Sequence, residues 1–344
     1  MSIPEPPTAD DIREMIGLAG GYRISQSIHA VAELGIADLL KDGAKTAEEL
    51  ARAAGVHAES LYRILRLLAG VRVFTEVAPR QFALTRLGAV LQRDLAGTPR
   101  ANVRNWLHES QWTPWGRLLH CLRTGEPAFD AVHGMGFFEY MQKHPDVAQV
   151  FNEAMTANTE RDGLVIAAAY DFTGIDTLVD VGGGHGCLIA SLLRANRAMR
   201  GILFDQPEVV MQAAPVLLKA GVLDRCRVTG GDFFEEVPAG ASAYLLSHII
   251  HDWDDAKAAL ILRNCRQAVA GGGRILVFER LVSADHVQGL GVLQIDAEMM
   301  VNLAGLERTE EQFRALFARA GLSLVGIRAI CESGGHAIME GVPA

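Results

Sequence analysis

Asp180, Asp205, Asp232 and His251 each stand at or just past the end of a short apolar run. The first lies in Leu178-Val-Asp-Val, which runs into Gly182-Gly-Gly184-His-Gly186 and then an apolar helix carrying Leu188, Ile189, Leu192 and Leu193. Glycine lets the backbone approach a ligand closely and take φ angles that other residues resist. Asp205, in Phe204-Asp205, follows at about the 20-residue interval at which an acid binds ribose hydroxyls in nucleotide folds. An adenosine-bearing ligand is expected.

Spacing decides which one. A dinucleotide fingerprint needs Gly-x-Gly-x-x-Gly, and from Gly182 and Gly184 the third glycine position falls on Cys187. What stands here is Gly182-x-Gly184-x-Gly186 behind Asp180. A pyrophosphate wants bare helix N–H groups and no carboxylate beside them. Asp180 suits a ligand whose equivalent end is cationic, and S-adenosylmethionine carries an ammonium and a sulfonium there.

Two further constellations follow. In Gly230-Gly-Asp232-Phe233-Phe234 an acid is placed to accept from an adenine amino group while Phe233 stacks on the ring; the structural alternative is a turn with a helix cap. In Ser247-His248-Ile-Ile-His251-Asp-Trp-Asp-Asp255, Asp254 reads as the cap of the next helix. His251 sits just before that helix, facing the ligand crevice, with His248 as its rival. A histidine at its ordinary pKa is largely neutral at pH 7 and can accept a proton. Such a base needs a carboxylate on its far ring nitrogen to fix the tautomer and stabilise the imidazolium that forms. Candidates are Glu279, closing an apolar run, and Glu307, just outside a helix opened by the capping box Thr309 and Gln312.

The elements that must hold these groups are legible in part. From Thr177 onward, strands at Leu178–Val181, Gly201–Phe204, Arg225–Thr229, Ala243–Ser247 and Arg274–Phe278 alternate with helices over 187–195, 207–220 and 254–269. That alternation predicts an α/β fold: a parallel, Rossmann-like sheet covered on both faces, with ligands at the carboxyl ends of its strands. Upstream, the pattern is helical from Ile12 to about Leu40. A capping box at Thr46-Ala-Glu-Glu49 opens a helix ended by Gly55, and a second helix runs from Ala58 to Leu68. A hairpin turns at Pro79. Two short helices and a hairpin outline a winged helix. Residues 102–160 read as helical and aromatic-rich, including Trp106, Trp112, Trp115, Phe137, Phe138 and Tyr140. Three regions are expected: 1–100, 101–165 and 166–344.

Bulk properties narrow the classes. The net charge of −9 and pI near 5.7 argue against nucleic acid as the main ligand. In 46–93, seven arginines face only four glutamates, but Arg63 and Arg66 are interleaved with leucines, so packing against a second subunit is the better use of this domain. No apolar run approaches the length of a membrane span, and the start has neither basic flank nor apolar core, so no signal peptide is expected. Cys121, Cys187, Cys226, Cys265 and Cys331 form no Cys-x-x-Cys pair, which reads as reduced thiols in a cytoplasmic protein with no metal site.

Val179-Asp-Val-Gly-Gly-Gly-His-Gly186, Phe204-Asp-Gln-Pro207, Gly231-Asp-Phe-Phe234, His251-Asp-Trp253 and Glu307-Arg-Thr309, in register along nearly the whole chain, resemble the O-methyltransferase family of plant caffeic acid and isoflavone enzymes, acetylserotonin O-methyltransferase and bacterial antibiotic-tailoring enzymes. The resemblance implies an N-terminal winged-helix dimerisation domain, hence a homodimer, and a class I methyltransferase domain. It implies His251 as catalytic base flanked by Glu279 and Glu307, and cofactor contacts at Gly182, Asp205, Asp232 and Phe233, with Ser247 at the position where plant members often carry an adenine-holding lysine; Asp180 and Gly184 join them from the residue reading. Substrate contacts map to Phe151, Met155, Met299 and Asn302. His185 stands where plant members carry threonine, Ser247 where they often carry lysine, and the stretch between Asp205 and Asp232 is longer; these point to the bacterial branch.

The expected reaction is methyl transfer from S-adenosylmethionine to a hydroxyl of a small aromatic metabolite. Alternatives are N-methylation of a heteroaromatic such as a phenazine, a cofactor-retaining relative that hydroxylates, and a winged-helix transcription regulator.

Overall fold

The computed structural model describes residues 6–95, 97–285, 287, 289–330 and 335–344. The chain divides into two compact units: Met1–Trp112 with Asp146–Ala157, and Thr113–Pro145 with Asn158–Ala344.

In the first unit the helical stretch expected from Ile12 to Leu40 is three helices, Ala9–Ala19, Tyr22–Glu33 and Ile36–Leu39. The breaks fall at Gly20-Gly21 and at Gly35, which adopts a left-handed φ of 64°. The hydrophobic stripe persists across them, which is why the sequence reads as one. Strand β1 (Lys45–Thr46) leads into the helix Ala47–Ala54, where Thr46 and Glu49 form the expected capping box and Gly55 ends the run. The helix Ala58–Gly70 and the hairpin of β2 (Phe74–Ala78) and β3 (Gln81–Leu84) follow, in a sheet of order β1-β3-β2. Leu50, Leu61, Leu65, Leu68, Phe74 and Phe82 form its core. Arg80, at the hairpin turn, is engaged by Glu48 and Glu59 at 2.7 and 3.1 Å.

Between residues 100 and 169 the expected helical texture is present as six helices, the last being Pro145–Ala169. The second unit is built on β4 (Thr177–Val181), β5 (Arg200–Asp205), β6 (Cys226–Gly230), β7 (Ala243–Ser247), β8 (Arg274–Arg280), β9 (Leu322–Ala329) and β10 (His336–Pro343). Their order is β6-β5-β4-β7-β8-β10-β9. The five strands read from the sequence are parallel, as expected. The last two were not anticipated, and β10 runs antiparallel to both β8 and β9, so the sheet is mixed. The helix expected over 207–220 is two, Pro207–Val210 and Ala214–Lys219, because Pro215 cannot sit in a helix interior and instead occupies the first turn of the second.

Alternation along the central strands fills both faces. Val179, Val181, Tyr244 and Leu246 face one core, with Ile261, Leu262, Phe313 and Phe317 of the helices Asp255–Ala268 and Glu310–Arg319. Leu178, Ala243 and Leu245 face the other, with Leu188, Leu192 and Leu193 of the helix Cys187–Ala195. The chain leaves β4 toward β5 on one side, and β7 lies on its other side. That reversal of strand order opens a crevice at the carboxyl ends of β4 and β7. Among the described residues no helix is long and apolar enough to cross a membrane.

Candidate active site

The crevice begins with the glycine turn. Gly182, Gly184 and Gly186 have φ of 72°, 59° and 82°, the left-handed region that other residues resist. A side chain at Gly182 would also collide with Ile249, two residues before His251, so the turn and the histidine loop abut. Asp205, at the end of β5, accepts from the Gly184 amide at 2.8 Å through Oδ2 and from the Gln206 amide at 2.7 Å through Oδ1. A carboxylate has about four acceptor positions, so two remain. Burial raises its pKa, against the pull of those amides. Asp180 is 1 % exposed, and its Oδ2 has no hydrogen-bond partner. Burial pushes it up to about 7, although the Ile189 amide in the first turn of the following helix favours its charge.

The ring of Phe233 lies near Gly182 and packs edge-on against Phe234. Asp232 is exposed and caps its own turn, accepting from the Phe234 amide at 2.8 Å; Ser247 closes β7 and is half-buried.

Beyond β7 the backbone turns sharply. His248 takes a left-handed φ of 55°, and a short 3-10 turn, Ile250–Asp252, carries His251 inward until it is 7 % exposed. The His251 Nδ1–H donates to Glu307 Oε1 at 2.8 Å. Glu279 is fully buried at the end of β8; its Oε1 accepts from the Ile250 and His251 amides at 2.8 and 3.3 Å, and its Oε2 lies 3.7 Å from His251 Nδ1. Asp252 Oδ1 stands 3.4 Å from the other ring nitrogen, Nε2. Both acids read as orienting groups therefore meet the same imidazole.

This company corrects one expectation. Burial alone would lower the pKa of His251, but Glu279, Asp252 and Glu307 outweigh it and hold the pKa at about 10. The resting ring is an imidazolium at pH 7, not the neutral imidazole its ordinary pKa suggests. Glu279 is buried too, yet the two imidazoles His251 and His248 draw it down to about 2, while burial pushes Asp252 up to about 7.

Several residues that hold this arrangement were not singled out from the sequence. Arg308 is completely buried and ties the loop together, donating to Asp255 Oδ1 (3.0 Å), Ile250 O (3.1 Å) and Trp253 O (2.9 Å). Its signal was its place between a candidate acid and a helix cap in Glu307-Arg-Thr309. The Leu306 amide donates to His251 O at 2.9 Å, an approach close enough that a Cβ at Gly305 would collide with that same carbonyl. Asp296 Oδ1 accepts from the Glu307 amide at 2.8 Å, and Arg280 lies 3.8 Å from Glu307 Oε1. His248 Nε2 meets the buried Asp162 at 3.1 Å.

Of the four residues read as substrate contacts, Met299 and Asn302 lie on the helix Leu290–Asn302 in the unit that carries His251. Asn302 donates to Glu298 Oε1 at 2.6 Å, and Trp115 donates to Glu298 Oε2 at 2.8 Å. Burial raises Glu298 to about 7 against those two hydrogen bonds. Phe151 and Met155 belong to the other unit. Asp162, His248 and His336 each offer a donor atom within 4.8 Å of the other two, as do His248, His251 and Glu279. The expectation of no metal rested on cysteine spacing, which does not bear on these groups. Cys121, Cys187, Cys226 and Cys265 are buried; Cys331 lies outside the described residues.

The glycine turn, the acid closing β5 and the buried imidazole–carboxylate cluster lie at the carboxyl ends of the parallel strands, where sheets of this kind take their ligands. The chain belongs to the O-methyltransferase family: residues 115–323 match the O-methyltransferase domain model and residues 16–94 the O-methyltransferase dimerisation domain. It is 41% identical to a phenazine O-methyltransferase of Lysobacter antibioticus over 96% of this chain and 95% of that one. It is 34% identical to the phenazine-1-carboxylate N-methyltransferase of Pseudomonas aeruginosa over 91% and 92% of the two chains. Among solved structures it resembles the mitomycin 7-O-methyltransferase, with a TM-score of 0.91, 36% identity and 98% of each chain covered. It also resembles an O-methyltransferase from neocarzinostatin biosynthesis in complex with S-adenosylmethionine and 2-hydroxy-5-methyl naphthoic acid (TM-score 0.82, 33% identity, 94% and 96% covered).

Proposed function

We propose that this protein transfers a methyl group from S-adenosylmethionine to a hydroxyl of a small aromatic secondary metabolite, with His251 as general base. The observation that carries this reading is the imidazole of His251, buried between Glu307 and Glu279 in a loop that abuts the glycine turn. The cradle fits the nucleoside. Gly184 has open space where a side chain would stand, and Asp205 keeps acceptor positions for ribose hydroxyls. Gly182, Asp232, Phe233 and Ser247 complete that contact set, and the buried carboxyl group of Asp180 stands behind the turn.

When bound, S-adenosylmethionine supplies a methyl group activated by its sulfonium. The chain's own part is to orient the acceptor and to take its proton. An aromatic hydroxyl has a pKa of about 10, as in tyrosine, close to the value at which His251 is held. Proton transfer from hydroxyl to Nε2 is then nearly thermoneutral, and the imidazolium that results is the form Glu307 and Glu279 stabilise. Phe151, Met155, Met299 and Asn302 are the acceptor contacts in this reading. Residues 1–100 serve as the dimerisation domain, 101–165 as a helical connector and 166–344 as the catalytic domain. The helix Ala9–Ala19 buries no residue and exposes Ile12, Met15, Ile16 and Leu18, an apolar face suited to a second copy of the chain.

One observation favours a second reading. A ring nitrogen needs no base, and a resting imidazolium at residue 251 suits a site that only orients its acceptor. A mass-spectrometric screen of phenolic and heteroaromatic acceptors with labelled cofactor tests both. Products gaining one CH2 on oxygen support the first reading, gain on nitrogen the second, and gain of one oxygen atom or no product refutes both.

A further inference from the structure

His251 is not the only imidazole on Glu279. Five buried or half-buried groups form a line in which carboxylates and imidazoles alternate: Asp162, His248, Glu279, His251 and Glu307. The gaps along it are 3.1 Å (Asp162 Oδ2 to His248 Nε2), 3.6 Å (His248 Nδ1 to Glu279 Oε2), 3.7 Å (Glu279 Oε2 to His251 Nδ1) and 2.8 Å (His251 Nδ1 to Glu307 Oε1). Glu279 divides its labour. Its Oε1 is pinned by the Ile250 and His251 amides, while Oε2 is buried without a hydrogen bond, midway between the two imidazoles. His248 Nδ1 is likewise buried and unpartnered, facing that oxygen from just beyond hydrogen-bond reach.

The backbone is bent to make this so. A left-handed φ of 55° is uncommon outside glycine, although histidine takes it more readily than most residues, and here it delivers the ring onto Asp162 and Glu279. The His248 amide donates to Phe278 O at 3.1 Å, and the ring packs edge-on against Phe278 and His336. The charged and titratable groups facing it are Asp162 from the long helix, Glu279 and Arg280 from β8, His336 from β10, and His251 with Asp252 from its own loop.

We propose that His248, clamped by Asp162, is a positioning residue that shares Glu279 Oε2 with His251 and thereby sets how tightly His251 holds its proton. The physical logic is competition for one carboxylate. Asp162 and Glu279 raise the pKa of His248 against the effect of burial, which favours a second cation, its ring centroid 5.5 Å from that of His251. That cation takes part of the negative potential of Glu279 and repels the proton on His251. Without it, Glu279 would act on His251 alone, and the base would be harder to free. The inference rests on the reading of His251 as proton acceptor, and its test does not depend on turnover.

The test is a pH titration of 15N-histidine ring signals in the full-length protein without substrate. It compares wild type, His248→Asn, Asp162→Asn and the double variant. Asparagine tolerates left-handed φ, so His248→Asn removes the ring and its charge while sparing the turn. In wild type the two rings report each other, each curve showing two inflections. In His248→Asn the midpoint of His251 moves up by at least about one pH unit, and its neutral fraction at fixed pH falls about tenfold. Asp162→Asn moves it the same way by releasing the proton of His248, and the double variant moves it no further than His248→Asn alone. A His251 curve unchanged in His248→Asn, or shifts that add in the double variant, overturns the proposal. If neither variant folds, single-inflection curves in wild type overturn it on their own. Absence of any methylated product from the wild-type enzyme would instead defeat the functional reading and leave the coupling standing.

Discussion

Glu307→Gln is the sharpest probe of the His251 site. The amide oxygen of glutamine can still accept the Nδ1–H that Glu307 Oε1 now accepts at 2.8 Å, so ring orientation is kept while one negative charge is lost. With charge centres about 4 Å apart and an effective dielectric of about 20, the lost attraction is about 4 kcal/mol, the equivalent of about three pK units. Measured shifts from one neighbouring charge span about one to three units, so the pKa of His251 should fall from about 10 toward the range of 7 to 9. The assay is kcat/KM between pH 6 and 10.5 with two phenolic acceptors of different hydroxyl pKa. The acceptor's own limb moves with the acceptor, and the enzyme's limb does not. In wild type the rate rises about tenfold per pH unit from neutrality, because about one molecule in a thousand carries a neutral His251 at pH 7. In the variant that limb shifts acidward and its plateau falls about 100-fold, since the imidazolium formed in the transition state loses a partner. The deficit is therefore largest at alkaline pH and smallest near pH 7. A deficit constant across the range, with the limb unmoved, would refute the charge argument and leave only geometry.

Three other outcomes follow from the same contacts. Asp205→Ala should weaken S-adenosylhomocysteine binding at least about tenfold by calorimetry, because it removes the proposed ribose acceptor and also the oxygens that hold the Gly184 and Gln206 amides. Gly305→Ala should lower stability by about 3 kcal/mol in chemical denaturation, since the new methyl meets the His251 carbonyl, a backbone atom that cannot swing away. Stability should also fall as pH rises: His251 binds its proton more tightly folded than unfolded, so its contribution is complete below about 6.5 and is lost as pH climbs toward about 10. The slope is at most about 1.4 kcal/mol per pH unit for one proton, and it should vanish from the difference between wild type and His251→Asn above that range.

Local chemistry made much of the fold legible. Thr46 with Glu49, Thr309 with Gln312, and Asp254 cap the helices they were expected to cap, because a cap is a contact between residues two or three apart. β4, β5, β7 and β8 read as apolar runs because both their faces are covered. β9 escaped for the opposite reason: five of its eight residues are exposed, so it shows no such run. The glycines at 182, 184 and 186 were readable because their left-handed φ leaves a compositional trace. The charge state of His251 was not, since it depends on Glu279 and Glu307, which lie 28 and 56 positions away. Asp162 is 86 positions from the ring it meets, and nothing in its neighbourhood marks it.

The account stands on the imidazole of residue 251 taking the proton of an aromatic hydroxyl, and His251→Ala tests that most directly. Turnover of a phenolic acceptor should drop about 100-fold or more while calorimetry finds cofactor affinity within about twofold of wild type. Undiminished turnover by the variant across pH 7 to 10, with the methyl group found on oxygen, would contradict it.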